Sequence, residues 1–270
     1  MNLTEEEIQD KKSKFLVSVK AFATRAKAKF SVAFSSVSSA IYPENITCDV
    51  CKAELVADTR YRLCAKCAEN MPFNDQKKCL ICGAPMDNEA DYCLRCQNND
   101  SVFKKNRSPL VYEGLAKKLI LQLKFGGKKY LAATLATMMA DTFLKEHMEA
   151  DVIVPVPMSK AEEKKRGFNQ SSLIAYELGA RLGRPVLPAL IKNRETSQQK
   201  ALTAKDRSEN LKGAFVCTFK EVSGLKVLLV DDVFTTGATA NECARALYKS
   251  RAKEVNVLTA AITKLKIFME

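Results

Sequence analysis

Apolar residues recur at helical spacing from Phe15 through Val19, Phe22, Ala26, Phe30, Ala33 and Val37 to Ile41, which predicts a helix over residues 11–41. The same period runs through Leu115–Leu123 and Leu131–Leu144, separated by the turn Phe125-Gly126-Gly127-Lys128-Lys129, and again through Ser171–Leu182. Asn241–Tyr248 is a further predicted helix, with Cys243, Ala244 and Leu247 on one stripe. Other segments are apolar without alternation: Val152–Val154 running into Pro155-Val156-Pro157, Val227–Val230, and Val255–Leu258. Such runs suit strands of a parallel sheet, buried on both faces. Ala214–Phe219 is also strand-like. Strands alternating with helices predict an α/β class, a parallel sheet flanked by helices.

Cysteine spacing adds a second module. Eight of the ten cysteines form four C-x-x-C pairs, Cys48/Cys51, Cys64/Cys67, Cys79/Cys82 and Cys93/Cys96, and this doubled knuckle is the one internal repeat. A C-x-x-C turn puts two thiolates on one side of a metal, and two turns complete a tetrahedron. Two structural zinc ions are the expectation, against disulfides or an iron–sulfur cluster. Sequential and cross-braced pairings both remain open. So short a segment has little apolar sequence of its own, so metal binding should supply most of its folding free energy. Polar residues 97–101 read as a linker, which divides the chain into a helical segment 1–45, a double zinc ribbon 46–100 and an α/β domain 101–270. Separate cores are expected for the last two.

The 270 residues carry a formal charge of +12. Each four-thiolate zinc centre carries −2, so two would bring the total to +8. A basic chain favours anionic partners. The residue 11–41 segment has seven Lys or Arg and no acid, so a helix there can lie on a membrane surface or bind a partner; the plainer alternative is a packed helix with solvated lysines. No apolar run approaches a membrane span, and Met1–Asp10 is too acidic and polar for a secretion signal. A cytoplasmic location is expected. His147, the single histidine, lies in a polar stretch and reads as a surface residue, while Cys217 and Cys243 read as buried small hydrophobes.

The chemistry concentrates at Val227–Thr239, where a buried strand meets Asp231 and Asp232, placed at the strand's end. The loop Thr235-Thr236-Gly237-Ala238-Thr239 and a helix follow. Backbone N–H groups at a helix start attract phosphate, a glycine allows close approach, and two carboxylates accept hydrogen bonds from vicinal hydroxyls. Strand, acids, loop and helix together suit a sugar phosphate.

This segment resembles the phosphoribosyl-pyrophosphate (PRPP) signature of type I phosphoribosyltransferases. With Val154–Lys160, Arg166–Gln170, Arg194–Gln199, Leu202, Arg207, Asn210 and the paired cysteine knuckles, residues 41–263 resemble the ComF family, bacterial proteins linked to natural competence and DNA uptake. The resemblance implies a type I phosphoribosyltransferase fold. It implies that Thr235–Thr239 cradle a 5′-phosphate, that Asp231 and Asp232 meet ribose hydroxyls, and that Met158, Ser159 and Lys160 sit at pyrophosphate, with Mg²⁺ arriving on the substrate. Arg194, Lys200 and Arg207 would clamp the leaving group from a flap, or else form a solvated basic loop. The implied partners are PRPP, single-stranded DNA, and a competence helicase or other uptake protein. Two functions stay open: a phosphoribosyltransferase of unknown acceptor, or a binding scaffold with a sensory or vestigial PRPP pocket. Relatives tend to carry glycine where Arg251 stands, which should alter the helix exit.

Overall fold

The computed structural model of the chain describes residues 47–55, 59–97, 101–193 and 211–264. The segment expected as a basic helix lies outside the described residues. Seven helices are named here in chain order: α1 Ala65–Glu69, α2 Leu94–Gln97, α3 Gly114–Phe125, α4 Leu131–Lys145, α5 Lys160–Arg166, α6 Gln170–Leu182 and α7 Ala238–Lys249. The strands are β1 Asn106–Arg107, β2 Leu110–Val111, β3 Val152–Pro155, β4 Leu190–Lys192, β5 Phe215–Cys217, β6 Lys226–Phe234 and β7 Glu254–Ile262.

The main sheet is parallel throughout, in the order β1-β7-β6-β3, with β2 also pairing to β7; β4 and β5 form a separate antiparallel pair. The apolar runs explain the layering. Leu228 and Val230 pack in one buried cluster with α4 and α6 residues such as Leu135, Met139, Ile174 and Leu178. Val227 and Leu229 pack in another with Cys243, Ala244 and Leu247 of α7 and with Leu190 and Phe215. A strand covered on both faces has no place for polar alternation. Cys243 is fully buried, as expected, while Cys217 is half-buried.

Strand β6 differs from the expected Val227–Val230 by running on to Phe234. β7 keeps pairing with it, Asp231 opposite Thr259 and Phe234 opposite Ile262. The two carboxylates therefore stand inside the carboxyl end of the strand, not after it.

The expectation of separate cores fails. Cys48, Val50, Leu63, Cys67 and Met71 share a cluster with α3 and α4, and Cys79, Cys82, Cys93 and Cys96 share one with the sheet and α7. The reason is visible in the docking of residues 79–84 on β1. Asn106 Nδ2 donates to the Cys82 carbonyl at 2.8 Å, Arg107 Nη1 to the Leu80 carbonyl at 3.0 Å, and the Asn106 amide to the Ile81 carbonyl at 2.7 Å. Arg251 follows α7 at φ 63°, a left-handed position that glycine holds without strain. Among the described residues, no helix is long and apolar enough to cross a membrane.

Candidate functional site

Parallel sheets place ligands outside the carboxyl ends of their strands. Here β3 and β6 are neighbours, Pro155 opposite Val230, so the loops that follow them emerge side by side. After β3, the Val156 amide still donates to the Val230 carbonyl at 2.9 Å. Ser159 then caps α5: its Oγ accepts the Glu162 amide at 3.2 Å, and Glu162 accepts the Ser159 amide at 3.2 Å. Met158 is half-buried and Lys160 exposed. Asn169 fixes this loop by donating to the Val156 carbonyl at 3.0 Å, while its Oδ1 caps α6 at the Ser171 amide, 2.9 Å away.

The two acids have different surroundings. Asp231 accepts from Ser171 Oγ at 2.7 Å and from the Asp232 amide at 2.9 Å. Burial pushes its carboxyl above the usual range, although Ser171 and Lys124 act the other way. Asp232, 4% exposed, accepts the Val233 amide at 2.9 Å and forms an ion pair with Lys124. Burial pulls the Lys124 ammonium down against the charge of Asp231, and Arg166 adds to the pull. Asp231 is thus held by a hydroxyl and an amide, whereas Asp232 is committed to a half-buried cation.

Beyond Phe234, Gly237 takes φ 84° and caps α7. A Cβ there would stand 2.8 Å from the Phe234 ring. Glycine is required here by conformation and by Phe234 together. Thr236 Oγ1 accepts the Ala238 amide at 3.4 Å. First-turn amides of a helix lack intrahelical acceptors, so α7 presents donors at this loop. The cleft at this loop, about 20 Å³ and lined in part by Val156, Asp231, Gly237 and Thr239, admits a water as it stands.

Lys124, Ser171, Arg166 and Asn169 were not singled out by sequence as candidate site residues. One signal was available for Lys124, which follows fully buried Ile120 by four residues and so lies on the inner stripe of α3. A charge on that stripe needs a partner. Arg194, Lys200 and Arg207 lie outside the described residues.

The cysteines form two groups, Cys48/Cys51/Cys64/Cys67 and Cys79/Cys82/Cys93/Cys96, so the pairing is sequential. Within each group the sulfurs lie within 4.8 Å of one another. Cys51 and Cys64 sulfurs are 3.7 Å apart, Cys82 and Cys93 sulfurs 3.6 Å. Four sulfurs at about 2.3 Å from one zinc stand about 3.8 Å apart, so both clusters are compatible with a structural zinc ion and too open for disulfides. The two ribbons repeat each other in detail. Lys52 and Gly83 occupy the same left-handed position four residues after Cys48 and Cys79, at φ 67° and 71°.

Residues 37–97 match the double zinc ribbon domain. The chain is 30% identical over 224 residues to competence protein F of Haemophilus influenzae, covering 79% of this chain and 95% of that protein. It is 32% identical over 216 residues to DNA utilization protein YhgH of Salmonella typhi, covering 78% and 94%. Competence protein ComFC of Bacillus subtilis is 28% identical over 233 residues, covering 79% and 94%. Among solved structures, a glutamine PRPP amidotransferase from B. subtilis complexed with ADP and GMP is 25% identical, with a TM-score of 0.35 over 48% of this chain and 26% of that one.

Proposed function

The chain belongs to the ComF family, and from that membership we propose that it binds PRPP with Mg²⁺ at the carboxyl ends of β3 and β6 and serves in DNA uptake or utilization. The observation that carries the ligand reading is the meeting of Asp231, Asp232 and the Gly237 loop at one sheet end. The Thr235–Thr239 loop receives the 5′-phosphate. Asp231, more loosely held than Asp232, accepts from the ribose hydroxyls. Asp232 and Lys124 fix the strand end beneath it. Met158, Ser159 and Lys160 lie toward pyrophosphate. Mg²⁺ enters with the substrate and offsets the charge of its phosphates. In a transfer reaction the bond from ribose C1 to the pyrophosphate oxygen breaks, an acceptor lone pair forms the new bond to C1, and pyrophosphate leaves with the bonding electrons.

Calorimetric titration of PRPP with Mg²⁺ tests this reading. Wild type should bind, and Asp231→Asn should lose most of the affinity while keeping its thermal midpoint, because an amide lacks the charge-assisted strengthening. Asp232→Asn should also lower stability, by about 1 kcal/mol, because half-buried Lys124 loses its ion-pair partner and keeps only the nearby charge of Asp231. No heat from wild type at millimolar PRPP would sink the pocket reading.

A second reading, as a binder of single-stranded nucleic acid, draws on a different surface. Phe125 is 72% exposed, with the Arg166 guanidinium 5.0 Å over its ring and exposed Lys117 and Lys118 on the same helix. Aromatic rings beside cations accept unpaired bases without reading sequence. Binding should weaken steeply between low and physiological salt. Salt-independent binding would assign this face to a protein partner.

A further inference from the structure

The second zinc ribbon reaches the phosphate loop directly. Arg95 lies between two metal ligands, Cys93 and Cys96, and its Nη1 donates to the Thr235 carbonyl at 2.5 Å. The same guanidinium lies 5.4 Å over the Phe234 ring. Phe103 also packs on Phe234, edge-on with ring centroids 5.8 Å apart. The Val102 amide donates to Asn241 Oδ1 at 2.9 Å, which ties the ribbon's exit to the first turns of α7. Ribbon and exit segment thus touch the chain on both sides of Gly237, at Phe234 and Thr235 before it and at Asn241 after it. The first ribbon's side chains reach α4 instead, through Tyr61, Arg60 and Asp49.

The geometry points to Arg95 as a positioning residue for anion binding, held in place by the second zinc cluster; this rests on the PRPP reading of the loop. By occupying the Thr235 carbonyl, Arg95 keeps that oxygen from turning toward a bound anion. The loop's amides are then the groups presented. No carboxylate pairs with Arg95 among the described residues, so its charge also remains beside the loop and favours an anion there. The conformation of the loop is therefore conditional on the four sulfurs that fix the Cys93–Cys96 knuckle. Zinc at the second cluster and PRPP at the loop favour each other, as linkage requires. The first cluster stands outside this coupling.

The test uses the full chain with zinc. Arg95→Met keeps a long side chain over Phe234 but removes the charge and the hydrogen bond. Two zinc ions per chain should remain, PRPP–Mg²⁺ affinity should fall about tenfold, as expected for a lost charged hydrogen bond, and amide exchange at residues 235–239 should quicken about tenfold. Arg95→Lys should recover part of the salt-sensitive affinity without the loop protection. Cys96→Ser should lose the second zinc and quicken exchange in the same loop. Unchanged exchange and affinity in Arg95→Met would overturn the inference. If wild type itself gives no heat with PRPP, the ligand reading fails, and exchange alone decides: faster exchange in Arg95→Met upholds the positioning role, unchanged exchange removes it.

Discussion

The two zinc ribbons share one design and differ in what they have become part of. Each opens with a C-x-x-C hairpin, closed by a bridge from Thr47 to Glu54 in the first and from Lys78 to Pro85 in the second. Each continues into a short helix carrying the last ligands. The first keeps Cys51 exposed and meets α4 mainly through side chains, Tyr61 to Asp141 at 2.6 Å and Lys52 to Tyr130 at 2.5 Å. The second buries Cys82, at the same place in its knuckle, to 1% exposure and offers its own carbonyls to β1. Side-chain docking tolerates change, whereas main-chain docking fixes a position. Lys52 accordingly accepts a left-handed conformation in the open, while Gly83 cannot be anything larger: a Cβ would stand 2.7 Å from the Asn106 carbonyl oxygen.

The sharpest way to break this contrast is to remove equivalent ligands. Cys82→Ser should lose one zinc and the cooperative unfolding of the α/β domain with it, a loss beyond about 5 kcal/mol given what structural zinc contributes. Cys51→Ser should lose one zinc and leave most of the domain's transition in place. Metal analysis with thermal denaturation checks both, and equal losses would erase the distinction. Next in size is Gly83→Ala, expected to cost more than about 2 kcal/mol from backbone strain and a contact that cannot relax.

Tyr61→Phe should cost about 1.5 kcal/mol near neutral pH, the worth of a hydrogen bond to a carboxylate. Burial, with Asp141, pushes the Tyr61 hydroxyl up to about 12 from its ordinary 10. Its contribution is therefore complete below pH 10 and is lost as pH rises toward 12. Denaturant titrations should show wild type and variant converging across that window. Smallest is Lys52→Gly, where relief of the left-handed strain offsets the lost contact with Tyr130, so the change should stay within about 0.5 kcal/mol.

Elements whose own residues dictate them were legible in the sequence. Leu131–Leu144 and Ser171–Leu182 correspond to α4 and α6 within a residue, because an amphipathic period needs no partner to be seen. The sequential pairing of cysteines, weighed against a cross-brace, is also what the structure holds. Elements dictated by a neighbour were not legible. Asn106–Arg107 has no strand pattern, yet it lies beside Val257 and Leu258 because β7 offers an open edge. Helix α5 was missed because its residues bury nothing, and it rests on the Ser159–Glu162 cap instead. At the site, the acids and the glycine loop were visible as a local string. Lys124 and Arg95 were not, since each arrives from a distant segment whose direction only packing decides. Arg251 was flagged as a departure, and its φ of 63° shows that departure as strain at the helix exit.

The place of β7 sets an order of assembly. It lies between β6 and the β1–β2 segment, and a hydrogen bond of 2.6 Å from Ser108 to Thr259 spans 151 residues of chain. During synthesis the ribbons, β3 and β6 emerge before the strand that joins β1 to them. Metal can gather the ribbons early, but the edge on which the second one docks has nothing to pair with until Glu254–Ile262 has left the ribosome. Long loop closure makes that last insertion slow, and the unpaired edge of β6 is an aggregation hazard for as long as it waits. A nascent chain halted before Glu254 should therefore carry metal yet remain a client of chaperones.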